Sequence, residues 1–210
     1  MPKLLYLPLQ GRAQAIRYML NAKGVHFDDE RLSFEEWGAI KAAGTYGTSQ
    51  LPIWVGDDGK WYNQSVAILR MLAAEHGYAP TTASAIFESE WFLATTVDTL
   101  EKPERMAFMK DDATEEAKQA AITCFTNFLE RCNAHWADGR THVAGNDVTE
   151  ADFALLSLIT GQIENPHSKH ADIREATIAK LAQCEHVVRV VQPMRDLCAA
   201  QIASLQPAWI

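Results

Sequence analysis

Over the first eighty residues, apolar and polar positions change in short runs, and glycine, proline and aspartate separate the runs. Lys3–Leu7 is apolar and of strand length. Arg12–Lys23 places Ala13, Ile16 and Leu20 on one helical face, and Gly24 suits the position just past its end. Val25–Leu32 reads as a second strand and Phe34–Ala42 as a short helix. Pro52–Val55 and Lys60–Tyr62, joined by Gly56-Asp57-Asp58-Gly59, form a hairpin pattern, and Ser65–His76 is a helix that Gly77 can end. The order β-α-β-α-β-β-α predicts a mixed sheet with helices packed on it.

The pattern changes at Tyr78-Ala79-Pro80-Thr81-Thr82. Helical spacing then dominates over Ser84–Lys110, Thr114–Trp136, Thr149–Ile163, Ile173–Ala182 and Val187–Ser204, with no strand signal. Ala117, Ala121, Cys124, Phe128, Cys132 and Trp136 trace one face, the mark of a core stripe. The chain therefore divides into an α/β domain at 1–78, a linker at 79–83 and an all-α domain at 84–210.

Composition narrows the class. The chain has 210 residues, 48% of them hydrophobic and 22% charged, as in a soluble globular protein. Its formal net charge is −8 with scattered basic residues, which argues against nucleic acid or an anionic membrane as partner. No basic segment followed by an apolar one opens the chain, and no apolar run nears the ~20 residues of a membrane helix. Cys124, Cys132, Cys184 and Cys198 lack Cys-x-x-Cys spacing and read as free thiols in a reducing compartment. Asn63-Gln64-Ser65 fits a glycosylation sequon, but without a secretion signal the expected location is cytoplasmic.

Candidate chemistry starts at Tyr6, where the first strand turns through Pro8 and Gly11 into a helix opened by Arg12. A phenol beside a helix N-terminus can donate to an anion. A free thiol titrates near 8.5, and lowering that by about two units requires roughly 2.7 kcal/mol of preference for the thiolate. One charge-assisted hydrogen bond and a helix terminus can supply it. No cysteine lies in the first 123 residues, so such a thiolate must arrive with a ligand.

Leu51-Pro52 opens a strand. A cis proline there would turn Leu51 outward to pair with an extended peptide. Ser65 can cap its helix, and the same N–H groups suit a carboxylate, with Gln64 beside it. Trp37 and Lys41, four apart on a helix, can bracket a second carboxylate. Alone, each has an ordinary explanation: a strand-edge tyrosine, a trans proline, a helix cap, a surface lysine over an aromatic ring. The chain has no Gly-x-Gly-x-x-Gly, phosphate loop, His-Glu-x-x-His or Gly-x-Ser-x-Gly, and His167 and His170 lack a third ligand, so no metal site is expected.

In register, these residues resemble the cytosolic glutathione transferases of the tyrosine type, nearest the sigma class. Tyr6-Leu7-Pro8-Leu9-Gln10-Gly11-Arg12-Ala13 resembles the family's Tyr-Phe-x-x-x-Gly-Arg-Ala start, and Trp37-x-x-x-Lys41, Gln50-Leu51-Pro52 and Gln64-Ser65 follow in the family's order. Gly145-Asn146-Asp147-Val148-Thr149-Glu150-Ala151-Asp152 resembles its helix-capping box. The resemblance spans nearly the whole chain. It implies a thioredoxin-like N-terminal domain followed by an all-helical C-terminal domain, assembled as a homodimer.

By the same resemblance glutathione is a co-substrate and no metal is required. Tyr6 stabilises the thiolate and Arg12 adds positive field. Leu51, preceding a cis Pro52, would pair with the cysteinyl backbone, with Gln50 also among the glutathione-binding residues; Gln64 and Ser65 would take the γ-glutamyl carboxylate, and Trp37 and Lys41 the glycyl carboxylate. Asp98 would reach across the dimer toward the γ-glutamyl amine. Leu7, Leu9, Arg105, Met106, Met109 and Leu205 would line a pocket for a hydrophobic electrophile. Leu7 departs from the family's aromatic, which alters that wall. The implied reaction is thiolate attack on an electrophilic carbon, in the service of detoxification. The alternatives are a glutathione-dependent isomerase of the prostaglandin D synthase type and a ligand-binding or crystallin-like relative without activity.

Overall fold

The computed structural model describes residues 1–100 and 112–205. Strand β1 (Lys3–Tyr6) lies inside a four-stranded sheet of order β2-β1-β3-β4. It pairs in parallel with β2 (Asp28–Arg31), Lys3 opposite Asp28 and Tyr6 opposite Arg31. Its other edge pairs antiparallel with β3 (Ile53–Val55), which forms a hairpin with β4 (Trp61–Asn63). Successive side chains of β1 point to opposite faces. Leu4 joins the main core, while Leu5 packs with Trp37 and Ile53 in a smaller one.

Helix α1 (Gln14–Ala22) is preceded by a 3₁₀ turn at Gly11–Ala13, so the helix expected from Arg12 starts later. The second strand is also shorter than the expected Val25–Leu32. Val25 N–H closes α1 on the Leu20 carbonyl (2.9 Å), and pairing starts at Asp28. That edge strand is Asp-Asp-Glu-Arg, charged along its length as an unpaired edge requires. Helix α2 (Phe34–Ala42) matches its expected span because Ser33 and Glu36 form a capping box, with bonds of 2.7 and 3.1 Å. Helix α3 (Ser65–His76) also matches and ends at Gly77, whose φ of 82° is left-handed.

The rest of the described chain is helical: α4 (Ala83–Leu100), α5 (Glu115–His135), α6 (Glu150–Leu158), α7 (Ala171–Gln183), α8 (Glu185–Leu197) and α9 (Ala199–Ala203). Of the stripe expected on α5, Ala121, Cys124, Phe128, Cys132 and Trp136 are buried. Two long patterns subdivide. The one expected over Thr149–Ile163 is α-helical to Leu158 and continues as a π turn, Ile159–Ile163. The one over Val187–Ser204 breaks at Cys198 into α8 and α9.

The start of α6 is closed from within. Thr149 donates its N–H (2.8 Å) and hydroxyl (3.0 Å) to one Asp152 oxygen, and Val143 N–H donates to the other (2.7 Å). Helix α1 packs on α6, and Tyr18 and Thr160 share a buried hydroxyl–hydroxyl bond of 3.0 Å between α1 and the π turn. All four cysteines are buried and none is in a disulfide. Burial pushes the Cys198 thiol up to about 11.

Candidate functional site

Tyr6 ends β1 with its side chain 9% exposed. Its hydroxyl accepts a hydrogen bond from the Arg12 backbone N–H at 3.0 Å. That contact leaves the phenolic proton available to another acceptor. Gly11 makes the approach possible: its φ is +38°, and a Cβ there would lie 2.5 Å from the Tyr6 hydroxyl.

Below the ring lies a cation that the sequence reading did not single out. Arg17 on α1 is 3% exposed, and its guanidinium carbon sits 5.7 Å from the Tyr6 ring centroid. Its Nε donates to both oxygens of Asp29 (2.9 and 3.1 Å) and a terminal nitrogen to the Leu9 carbonyl (2.8 Å). Burial pulls its pKa down, opposed mainly by the charge of Asp29. The only signal for it was an arginine set between Ile16 and Tyr18 in the helix.

A cavity of about 320 Å³ opens against Tyr6. Tyr6, Leu7, Leu9, Arg12 and Ser65, all singled out in the sequence, lie in its wall with Gly11 and Phe34. Its far walls come from α4, through Leu93, Thr96, Val97 and Leu100, and from α6, through Ala154, Ser157 and Leu158. Sequence reasoning missed these seven: three- and four-residue spacing of small and apolar side chains is also the pattern of a buried core stripe. No cysteine lines the cavity.

Beside it, Gln64 Nε2 donates to Gln50 Oε1 at 3.0 Å, and the Leu51–Pro52 peptide is cis. Ser65 is the first helical residue of α3 rather than its cap. Gln64 holds the cap position with φ 71°, the only positive φ of a non-glycine among the described residues, and no side chain caps the helix. Backbone strain of that kind costs about 1–3 kcal/mol and collects at functional sites.

Other expected residues fall elsewhere. Trp37 is buried in the small core against Leu5 and Ile53, and Lys41 is exposed a turn later on α2; neither lines the cavity. Asp98 is exposed on α4, also outside the lining. Leu205 was expected in the electrophile pocket. It lines instead a second cavity of about 230 Å³ with Gln10, Thr160 and Ile202, held at the end of α9 by the bond from Leu205 N–H to the Ile202 carbonyl (3.2 Å). Arg105, Met106 and Met109 lie outside the described residues. Among the described residues, no group of three or more His, Cys, Asp or Glu could hold a metal ion, and no helix is long and apolar enough to cross a membrane.

Chemically the cavity offers a phenolic donor over a buried cation, a helix start without a side-chain cap, and apolar walls. Such a site can hold an anion at the Tyr6 end and an apolar molecule beyond it.

No protein-family model matches the chain. A curated relative, the glutathione S-transferase class-mu 28 kDa isozyme of Schistosoma mansoni, is 31% identical over 168 residues, covering 75% of this chain and 76% of its own. Among solved structures, prostaglandin synthase D of Nilaparvata lugens superposes with a TM-score of 0.75 at 21% identity, over 98% of each chain. A glutathione S-transferase described as monomeric, Na-GST-3 of the hookworm Necator americanus, gives 0.71 at 21% identity over 95% of this chain and 96% of its own.

Proposed function

The chain belongs to the glutathione S-transferase family, and from that premise we propose that it joins the glutathione thiolate to hydrophobic electrophiles at the Tyr6 cavity. One observation carries the assignment of roles: the Tyr6 hydroxyl accepts from Arg12 N–H and keeps its own proton to donate at the cavity wall. Tyr6 stabilises the thiolate, and the Arg12 and Arg17 cations favour negative charge there. The sulfur then bonds to carbon as the leaving group departs with the bonding pair, so an oriented, ionised nucleophile is what the protein contributes.

Glutathione lies extended on residues 1–78, its cysteinyl backbone at Leu51 beside Pro52 and its γ-glutamyl carboxylate at Gln64 and Ser65. The strained Gln64 backbone and the uncapped α3 start favour that placement. Lys41 and the edge of Trp37 serve the glycyl carboxylate. The electrophile occupies the space toward the helices beyond the 79–83 linker, with Leu7 and Leu9 on the near wall. Class and assembly are part of the proposal: a sigma-like, cytoplasmic enzyme of detoxification, dimeric through a face that brings Asp98 of each copy toward the other's glutathione. The likeness to prostaglandin synthase D makes glutathione-dependent isomerisation the second reading.

Conjugation of glutathione to a chlorodinitrobenzene tests the roles, wild type against Tyr6→Phe. The expected loss is about 10²-fold near neutrality. It shrinks as pH rises toward the ~8.5 of a free thiol, where solution ionises the sulfur without help. Equal activity in both proteins would move the role from Tyr6 to the arginines. Glutathione binding without conjugation in wild type would favour the isomerase. Sedimentation of the Asp98→Ala protein, paired with its glutathione affinity, tests the dimer and the trans contact together.

A further inference from the structure

The α4 and α6 walls of the cavity carry two hydroxyls that make no hydrogen bond among the described residues. On α4, Leu93, Thr96, Val97 and Leu100 recur at the spacing of one helical face; on α6, Ala154, Ser157 and Leu158 do the same. Each face has a single hydroxyl in an otherwise apolar stripe. Thr96 Oγ1 is shut away from water and has no hydrogen-bond partner. Four helical threonines elsewhere in this chain bond the carbonyl four residues back: Thr99 to Thr95 (2.8 Å), Thr123 to Gln119 (2.8 Å), Thr160 to Leu156 (2.9 Å) and Thr177 to Ile173 (2.9 Å). Thr96 makes no such bond. Among the described residues the hydroxyl of Ser157, half-buried, has no hydrogen bond either.

A buried hydroxyl without a partner is destabilising unless something bonds to it. Threonine has two side-chain wells in a helix, so its hydroxyl can turn toward an acceptor that enters the cavity. The charge of the walls restricts that acceptor. Among the described residues of the lining, Arg12, on the turn beside Tyr6, is the only charged one, and the described faces of the two helices carry no cation beside Thr96 or Ser157. An ionised group placed against those walls would be desolvated without compensation.

Resting on the transferase reading, we infer that the cavity selects elongated apolar electrophiles carrying one neutral oxygen function, a hydroxyl or carbonyl, away from the reacting carbon, and that Thr96 and Ser157 hold that oxygen. The two residues set specificity and take no part in bond making.

Matched unsaturated aldehydes of one chain length test it: an unsubstituted parent, a set with a single hydroxyl stepped along the tail, and one ending in a carboxylate. In each, glutathione sulfur bonds to the β-carbon, the double-bond pair moves into an enolate, and water supplies the proton to the α-carbon. For at least one hydroxyl position, Thr96→Val lowers kcat/KM about tenfold. The parent changes by less than about twofold, because valine keeps the shape and loses only the hydrogen bond. Thr96→Ser restores the preference, and Ser157→Ala reproduces part of the loss. The carboxylate probe is the poorest substrate of wild type. Equal changes for parent and hydroxylated probes, or none, would overturn the assignment, as would a preference for the carboxylate. If wild type conjugates a chlorodinitrobenzene but discriminates among none of the aldehydes, only this inference falls. If it conjugates nothing, the transferase reading falls and takes the inference with it.

Discussion

Two helix starts in this molecule solve the same problem in opposite ways. Each leaves backbone N–H groups without helical partners. At α6 the chain closes the end itself: Asp152, 0% exposed, accepts from Val143, from the Thr149 backbone and from the Thr149 hydroxyl. At α3 the cap position holds Gln64 in a left-handed conformation, no side chain caps the helix, and Ser65 faces a cavity. Nearby, the Tyr6 hydroxyl takes one bond and withholds its proton. The satisfied end serves folding. The unsatisfied one, strained and open, is where a ligand's anion has something to gain.

The comparison can be broken from either side. The largest effect is expected at the closed end. Asp152→Ala strands three donors around a buried site, which costs about 3–5 kcal/mol of stability and shows as a large drop in the urea midpoint. A midpoint within about 0.5 kcal/mol of wild type would mean the box is decorative.

At the open end, Gly11→Ala forces a Cβ within 2.5 Å of the Tyr6 hydroxyl. Turnover should fall about 10²-fold as the donor is displaced, while stability falls by only about 1–2 kcal/mol for the left-handed backbone. Equal fractional losses of folding and activity would remove the distinction between the two ends.

A smaller effect comes from Glu150, the first residue of α6. It is 2% exposed; one oxygen accepts from Ser89 (2.7 Å) and the other has no partner. Burial raises its pKa, against the Ser89 bond. The folded state therefore holds this proton more tightly than the unfolded one, and the carboxyl becomes a liability as pH rises above about 4.5. Glu150→Gln should gain stability relative to wild type with rising pH, by about 1 kcal/mol at neutrality, and none well below that range. Unfolding midpoints between pH 4 and pH 8 measure it, and a gap that narrows with pH would reverse the sign.

The smallest is Gln64→Gly. Glycine removes the strain of φ 71° and should raise stability by less than about 1 kcal/mol, while glutathione affinity falls because the amide is gone. Unfolding and glutathione titration on one preparation separate the two.

Much of this was legible in the residues. Ser33 with Glu36, and Thr149 with Asp152, announce helix starts because capping is settled within four residues. Gly77 ends α3 for an equally local reason. Helix α2 and helix α3 have their expected spans, and the mixed sheet and helical remainder follow the expected order. Tyr6, Arg12 and Ser65 were found because turn chemistry and helix termini leave marks in sequence. Ser65 was misread as a cap because nothing local shows that Gln64 would take the strained position. Arg17 and the α4 and α6 walls were not found. Their spacing fits a core helix equally well, and only packing shows which stripe faces an empty volume.

Composition, periodicity and caps thus determined the elements, their order, the buried stripes and the chemistry available near Tyr6, since each depends on neighbours within a turn or two. The tertiary structure decided what those residues meet. It set Arg17 beneath the Tyr6 ring, took Leu205 away to a second cavity, buried Trp37 in the small core, and joined two distant helices into one apolar chamber with two hydroxyls that make no hydrogen bond among the described residues. Those are relations between residues well beyond a helical turn apart, fixed by how helices and sheet pack against each other, and no local pattern along the chain encodes them.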